Sequence, residues 1–364
     1  MRVVIAGGGT GGHLFPAVAV AEELLRQRVE SQVLLVGSRE GFEAKWLARH
    51  EFSYELLDVS GWTGHTTRER VNALIKFFRA TKQAQAFLKQ FDADLVVGCG
   101  GYVSLPTAVA AVLSRIPLVL MEQNARPGLA NRIMGRFAHA ICVGFEPAAA
   151  FFPRSKVWVT GNPVRFKPQR QSNEEESRQR PFRLLILGGS SGAHRLNVAV
   201  MAMFEKITDY VRDFSIVHQT GAADEQLVKE HYARLGLNAR VSAFLDEIAG
   251  ELAAADLIIS RAGAMAVSEI ALMGKPAIFV PYPFHRDRQQ ELNARIVEQK
   301  GGAVILRDDQ QLPEMLAREL TALAGDRQRL VEMGKRAQSV ARPDAACAIA
   351  RICADIVSRW RLAA

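Results

Sequence analysis

The chain has 364 residues, 49% of them apolar and 23% charged, with a formal net charge of +8. That length allows two domains of ordinary size; no run of about 18 apolar residues is present, so no membrane span is expected, and a strand so near Met1 leaves no signal peptide to expect. The positive charge asks for an anionic partner, yet no zinc spacing, aromatic sheet motif or basic heptad region supports nucleic acid.

The first predicted element is an apolar strand, Val3–Ala6, followed by Gly7-Gly8-Gly9-Thr10-Gly11-Gly12-His13. A helix is predicted to open at Pro16 and run from Ala17 to about Arg26. Strand, glycine turn and helix N-terminus together make an anion site, because glycine lets the backbone approach and the first helical N–H groups have no partner within the helix. Gly7, Gly9 and Gly12 also match the dinucleotide spacing G-x-G-x-x-G, which alone is a weak signal. A NAD site wants a carboxylate at the tip of the second strand. That strand, Gln32–Val36, ends in Gly37-Ser38-Arg39, so only an NADP reading stays open, through Arg39.

Further strands are predicted at Leu95–Cys99, Leu118–Glu122, Ala140–Val143 and Val157–Thr160, with helices between them. The helix from Thr67 to Phe91 mixes Arg68, Arg70, Lys76, Arg79 and Lys82 with Leu74, Ile75, Phe77 and Phe78. Two readings fit: a core helix with a solvated basic face, or a helix lying on an anionic membrane surface. Asp92 and Asp94 read as a solvated strand entry at the edge away from any ligand. The four cysteines show no metal or redox spacing and are expected to be reduced and mostly buried, and no metal site is expected.

From Pro163 to Pro181 the chain turns polar, as a linker would. The pattern then restarts with Arg183–Leu187 and a second glycine turn, Gly188 to Ala193. Strands follow at Ser215–Gln219, Val241–Phe244, Leu257–Ser260, Ala277–Val280 and Ala303–Leu306, and a last helix runs from Ala345 to about Trp360. The expectation is α/β: two Rossmann-like, doubly wound parallel-sheet domains, 1–162 and 163–343, facing across a cleft, with 344–364 packing back on the first. Ligands on such sheets sit at the strand carboxyl ends. Those ends offer Thr10, His13, Gly100-Gly101-Tyr102, Glu122 and Asn124, then Ser190, Ser191, Phe244-Leu245-Asp246, Arg261, Gly263, the run Ala264 to Glu269, and the loop Pro281 to Gln290. Ser268 and Glu269 are placed in a helix's first turn, where Glu269 takes two ribose hydroxyls or merely complements the helix dipole. His13 is a candidate general base, imidazole being a side chain suited to proton transfer, or a hydrogen-bonding partner for a phosphate. Glu122 is the other candidate base, or an acceptor for backbone N–H groups.

Taken in order, Gly8-Gly9-Thr10-Gly11-Gly12-His13-Leu14-Phe15-Pro16, Gly100-Gly101-Tyr102-Val103-Ser104, Glu122-Gln123-Asn124, Gly161-Asn162-Pro163-Val164-Arg165, Gly188-Gly189-Ser190, Arg261-Ala262-Gly263-Ala264, Val267-Ser268-Glu269 and Asp287-Arg288-Gln289-Gln290 with Asn293 resemble the MurG family of cell-wall glycosyltransferases over the whole chain. The resemblance implies the two-domain GT-B fold. It also implies inverting, metal-independent transfer of N-acetylglucosamine from UDP-N-acetylglucosamine to the C4 hydroxyl of a lipid-linked muramoyl-pentapeptide, without a cofactor. By position it puts uracil at the main chain of Leu245, the ribose at Glu269, and the phosphates at Ser190 and the helix start Ala264, Met265, Ala266, Val267 and Ser268. Arg165 falls beside the nucleotide. Gln289, Gln290 and Asn293 fall by the donor sugar, together with Thr10, Gly11, Gly12 and Asn124. Gly8, Gly9 and Tyr102 face the acceptor. Leu74, Ile75, Lys76, Phe78, Arg79 and Lys82 match a membrane-docking patch, which implies a peripheral enzyme on the cytoplasmic face of the bacterial inner membrane. Ala266, Ser191 and His194 depart from the family's usual Thr, Gln or Leu, and Arg. A UDP-sugar epimerase of the same fold is the nearest rival; an NADP oxidoreductase would leave the second-half motifs unexplained.

Overall fold

The structure is a computed structural model that describes residues 1–9, 11–40, 42–59, 67–166, 180–189, 192–284 and 287–363, without the side chains of 42, 45, 67, 68, 70, 71 and 363. The chain divides into two compact units, Met1–Arg165 with Arg342–Ala364, and Phe166–Ala341. Three of the four cysteines, Cys99, Cys142 and Cys353, are buried, and burial pushes the Cys353 thiol up to about 12, so it stays protonated. No helix among the described residues is long and apolar enough to cross a membrane.

The first unit runs β1 (Arg2–Ala6), α1 (Gly11–Gln27), β2 (Gln32–Ser38), α2 (Phe42–Leu47), β3 (Ser53–Leu57), α3 (Thr67–Gln90), β4 (Leu95–Gly98), α4 (Gly101–Leu113), β5 (Leu118–Glu122), α5 (Leu129–Met134), β6 (Ala140–Val143) and β7 (Val157–Val159). Its sheet is ordered β3-β2-β1-β4-β5-β6-β7. Every pair is parallel; Ala6 lies level with Val36 on one side and Gly98 on the other. The central strands are apolar throughout because both sheet faces are covered. Val3 and Ile5 enter one core with Leu14, Val18 and Leu24 of α1, while Val4 and Ala6 enter the other with Ala84 and Leu88 of α3 and Val103 of α4. This alternation is the period of two that a strand imposes on its side chains.

The second unit runs β8 (Arg183–Leu187), α6 (His194–Ile207), β9 (Ser215–Gln219), α7 (Glu225–Arg234), β10 (Ala239–Ser242), α8 (Ile248–Ala254), β11 (Leu257–Ser260), α9 (Ala264–Leu272), β12 (Ala277–Phe279), α10 (Gln289–Glu298), β13 (Ala303–Ile305), α11 (Leu312–Ala324) and α12 (Arg327–Gln338). Its parallel sheet is ordered β10-β9-β8-β11-β12-β13. The last helix, α13 (Ala345–Ala363), belongs to the first unit and buries Ile349, Cys353 and Val357 beside α1.

Four expectations need correction. Helix α1 starts at Gly11, not at Pro16, so the proline stands inside it; lacking an N–H, it cannot bond the carbonyl of Gly12. Strand β3 was not foreseen, because its sequence Ser-Tyr-Glu-Leu-Leu is that of a half-exposed edge strand whose apolar residues are interrupted by Glu55. Strand β10, at the edge of the other sheet, lies two residues earlier than expected, and Phe244-Leu245 have already left the sheet. Asp94 is no solvated entry: it accepts hydrogen bonds from Arg2 N–H and from the Arg361 guanidinium, both at 2.7 Å, and so ties β1 and α13 together.

Candidate functional site

In the first unit the turn after β1 can only be glycine. A Cβ on Gly7 would stand 2.8 Å from the carbonyl oxygen of His13, and Gly9 has φ +89°. The turn delivers His13 into the first turn of α1, where its side chain is half-buried. The turn after β4 supplies the other wall. Gly100 and Gly101 have φ of +88° and +76°, and a Cβ on either would come within 3.2 Å of the His13 ring. The imidazole therefore lies against bare backbone. Tyr102 follows at the start of α4, with its ring edge 2.8 Å from where a Cβ of Gly9 would be. The structure thus brings together the Gly8-Gly9 turn, His13, Gly100, Gly101 and Tyr102.

Nδ1 of His13 faces Oε1 of Gln123 at 3.2 Å. With an amide oxygen there, Nδ1 is the donor, and in the neutral ring Nε2 keeps its lone pair. Gln123 is 2% exposed, and its Nε2 has no partner among the described residues. Its neighbour Glu122, the end residue of β5, is also buried. One carboxylate oxygen accepts from Asn124 N–H (2.9 Å) and Nδ2 (3.3 Å); the other accepts from Gly128 N–H (3.2 Å) and Asn131 Nδ2 (2.9 Å). Burial pushes its pKa up, against these hydrogen bonds and the nearby His13. Its lone pairs are spent on shaping the loop 122–131, which suits an organiser better than a base. Asn124 is likewise engaged with this carboxylate. Asn162 donates to the carbonyl of Gln123 (3.0 Å), and the Arg165 guanidinium lies 3.6 Å from the centre of the Phe15 ring.

Sequence reasoning missed Glu43. This residue of α2 is fully buried beneath the first glycine turn, and its Oε1 accepts from Gly9 N–H (2.8 Å) and Ser38 N–H (2.9 Å). Side chains on Gly8 or Gly37 would collide with it. One of the turn's N–H groups is thus already taken. The signal was faint: a lone carboxylate in a short helix, far in sequence from the turn it serves.

On α3, Leu74, Ile75 and Phe78 point outward with Arg79 and Lys82, while Ala80, Thr81 and Ala84 face the core. The apolar edge is real, with Phe78 59% exposed. Lys76 differs from its neighbours in that its ammonium pairs with Asp58 at 2.9 Å.

In the second unit, Thr10's counterpart Ser190 and its neighbour Ser191 lie outside the described residues, as do Thr10 itself, His285 and Arg286. Gly189 is held by Gln219, whose Nε2 donates to its carbonyl at 2.9 Å. His194 opens α6 with Nδ1 2.9 Å from Asp224, so it is committed to a carboxylate of its own unit. Helix α9 begins at Ala264 with Gly263 as its cap, a residue with no side chain to bond the first N–H groups; an end of this kind can receive an anion. Met265 and Val267 are buried, so their side chains serve the core and only their N–H groups can serve a ligand. Ala266 is half-exposed in this first turn, where a threonine would have added a hydroxyl. Ser268 and Glu269 were expected in the first turn but fall in the second; Ser268 Oγ bonds back to the carbonyl of Ala264 (2.8 Å). The dipole reading of Glu269 therefore loses its basis, while Glu269 remains half-exposed. Leu245 is buried just past β10.

Gln289 and Gln290 form the first turn of α10. Gln290 Oε1 accepts from Tyr282 N–H (2.9 Å) and Ala262 N–H (3.3 Å), which leaves its NH2 group without a hydrogen bond among the described residues. Asn293 is fully buried and donates to the carbonyl of Ala262 at 3.2 Å. It holds the main chain just past the end of β11. Arg261, also buried, donates to the carbonyl of Val280 (3.0 Å) and pairs with Asp308 (2.8 Å), a residue unnoticed in the sequence. Among the described residues, no three His, Cys, Asp or Glu side chains form a group able to hold a metal ion.

The two units carry different chemistry: an oriented imidazole among glycine turns in one, and an open helix N-terminus with a carboxylate and two glutamines in the other. Family models fit both. Residues 3–143 match the glycosyltransferase family 28 N-terminal domain and residues 183–349 its C-terminal domain. A UDP-N-acetylglucosamine–N-acetylmuramyl-(pentapeptide) pyrophosphoryl-undecaprenol N-acetylglucosamine transferase of Geobacter sulfurreducens is 40% identical over 352 residues, 96% of this chain and 97% of that protein. The crystal structure of Acinetobacter baumannii MurG superposes with a TM-score of 0.76 at 32% identity, covering 97% of this chain and 99% of that one. A UDP-GlcNAc 2-epimerase from Neisseria meningitidis, at 14% identity and a TM-score of 0.67 over 96% and 99% of the two chains, shares the fold alone. The chain belongs to glycosyltransferase family 28 and, within it, to the MurG transferases.

Proposed function

We propose that this protein transfers N-acetylglucosamine from UDP-N-acetylglucosamine to the C4 hydroxyl of a muramoyl-pentapeptide carried on undecaprenyl diphosphate, with inversion and without a metal. The observation that carries the reading is identity of about 40% along nearly the whole chain to transferases named for that donor and acceptor. The second unit takes the donor, and the first supplies the base and the acceptor side.

In the proposed step, the acceptor hydroxyl attacks the anomeric carbon from the face opposite UDP. Nε2 of His13 takes the hydroxyl proton as the new C–O bond forms and the bond to the diphosphate breaks, so UDP leaves with the electron pair. A positioned base of this kind is worth about 10²–10⁴-fold. The N–H groups opening α9 receive the growing negative charge, each such donor contributing about 3–4 kcal/mol at the transition state. Glu269 takes the ribose, and Gln289 and Gln290 read the sugar hydroxyls. Arg79 and Lys82, with Leu74, Ile75 and Phe78, hold the enzyme on the anionic cytoplasmic leaflet.

The test is incubation with labelled UDP-N-acetylglucosamine in excess chelator, with and without the lipid-linked acceptor. Label must pass to lipid only when acceptor is present. Conversion of the donor sugar without acceptor would instead establish an epimerase.

A further inference from the structure

An apolar groove of about 590 Å³ opens on the first unit between α5 and the chain at 150–153. That volume is within the range of about 300–1,000 Å³ usual for small-molecule sites. Leu129, Ile133, Phe137 and Phe151 line it together with Arg132 and Arg136. These are large apolar side chains left in the open: Leu129 is 70% exposed and Phe137 53%. The Arg132 guanidinium lies over the ring of Phe151 at 5.6 Å, and Lys156 reaches the carbonyl of Arg136 at 2.9 Å, adding a third cation at the rim. From Leu95 to Pro153 the carboxylates are the buried Glu122 and the exposed Glu146, against Arg115, Arg126, Arg132 and Arg136.

The other side of α5 is bolted to the site. Asn131 donates to Glu122 and to the carbonyl of Met121 (3.0 Å), and Gly128 N–H donates to Glu122 as well. The same short helix therefore shapes the loop that carries Gln123, the partner of His13, and presents the groove.

We propose that this groove receives the first part of the acceptor's polyprenyl chain, with Arg132 and Arg136 beside its diphosphate. The proposal rests on the acceptor named under Proposed function. Polarity and charge choose the occupant: it must be apolar along one stretch and anionic at its head. A free nucleotide would leave Leu129, Ile133 and Phe137 in water, and an apolar peptide would leave the guanidiniums without counter-charge. A bilayer lipid has similar chemistry, but the tie from α5 to the Glu122 loop favours the molecule that must also reach His13.

The experiment compares two acceptors in detergent micelles, both bearing the same diphospho-muramoyl-pentapeptide, one on a long polyprenyl chain and one on a short alkyl chain. For the full-length double variant Ile133→Ser/Phe137→Ser, KM for the long-chain acceptor should rise roughly tenfold. Its kcat/KM for the short-chain acceptor and its KM for UDP-N-acetylglucosamine should stay as in the unaltered protein. The variant Arg132→Ala/Arg136→Ala should raise KM for both acceptors, since both carry the diphosphate. An unchanged preference for the long chain in the apolar variant would overturn the proposal, as would equal losses on both acceptors. Loss of binding to phosphatidylglycerol vesicles with the micellar preference intact would assign the groove to bilayer lipid and overturn it too. If the unaltered protein glycosylates neither acceptor, the transferase reading itself fails, an outcome distinct from these.

Discussion

Nδ1 of His13 and Oε1 of Gln123 lie 3.2 Å apart, with the imidazole against the backbone of Gly100 and Gly101. The contact fixes both the ring's orientation and its tautomer, and so which nitrogen can accept a proton. Gln123→Met keeps the side-chain length but removes the acceptor. It should lower kcat about tenfold and leave KM for UDP-N-acetylglucosamine unchanged. Equal losses in kcat and thermal stability with a raised donor KM would make Gln123 a packing residue only.

Gln290 uses its oxygen on Tyr282 N–H and Ala262 N–H, and its NH2 carries no hydrogen bond among the described residues. Gln290→Glu preserves the acceptor and removes the NH2 donor, so the protein should fold normally while KM for the donor rises about tenfold. Gln290→Ala should show the same rise together with a lower melting temperature, because two N–H groups lose their partner. Donor titration alongside thermal unfolding separates the two effects.

His218 is fully buried between Tyr232 OH (2.7 Å) and Asn197 Oδ1 (3.1 Å), and burial lowers its pKa to about 3. A histidine whose folded pKa lies below its unfolded value of about 6.5 gives stability that is whole above pH 6.5. That stability is lost as pH falls from 6.5 towards 3, because only the unfolded chain takes up the proton. Asp224, held below the usual carboxylate range despite the opposing cost of its burial by bonds from His194 and Asn197, pulls in the same direction at lower pH. Denaturant melts between pH 7 and 4.5 should therefore show stability falling with pH. His218→Gln should weaken that slope by about one proton. An identical slope in the variant would mean that other groups set the acid sensitivity.

On α3 the charges are not equivalent. Lys76 is paired with Asp58, and Arg79 and Lys82 stand exposed beside Phe78. Binding to phosphatidylglycerol vesicles should fall several-fold for Arg79→Ala or Phe78→Ser and less for Lys76→Ala. It should weaken in all variants as salt is raised. Equal effects of Lys76 and Arg79 would contradict this ordering.

Much of the fold was legible because central parallel strands are unbroken apolar runs, as in Val3–Ala6 and Leu257–Ile259. The edge strands β3 and β10 were missed or misplaced, since a strand that is half wet carries little apolar signal. Glycine turns announced themselves, but what fills the space beside them did not. Glu43, Gln123 and Asp308 act through contacts between residues far apart in sequence, and nothing in local spacing reveals such contacts. The motif Val267-Ser268-Glu269 was visible, yet its place in the second turn of α9 depended on Gly263 being the cap. Asn293 belonged to a recognisable motif, and only its full burial shows that it supports Ala262.

The proposed transfer depends on His13 as the base. The most direct test measures kcat and the dissociation constant of UDP-N-acetylglucosamine for His13→Ala. It predicts a fall in kcat of about 10²–10⁴-fold with donor binding unchanged. Near-normal turnover would remove His13 from the proton transfer, and a loss confined to donor binding would make it a ligand for the phosphates instead.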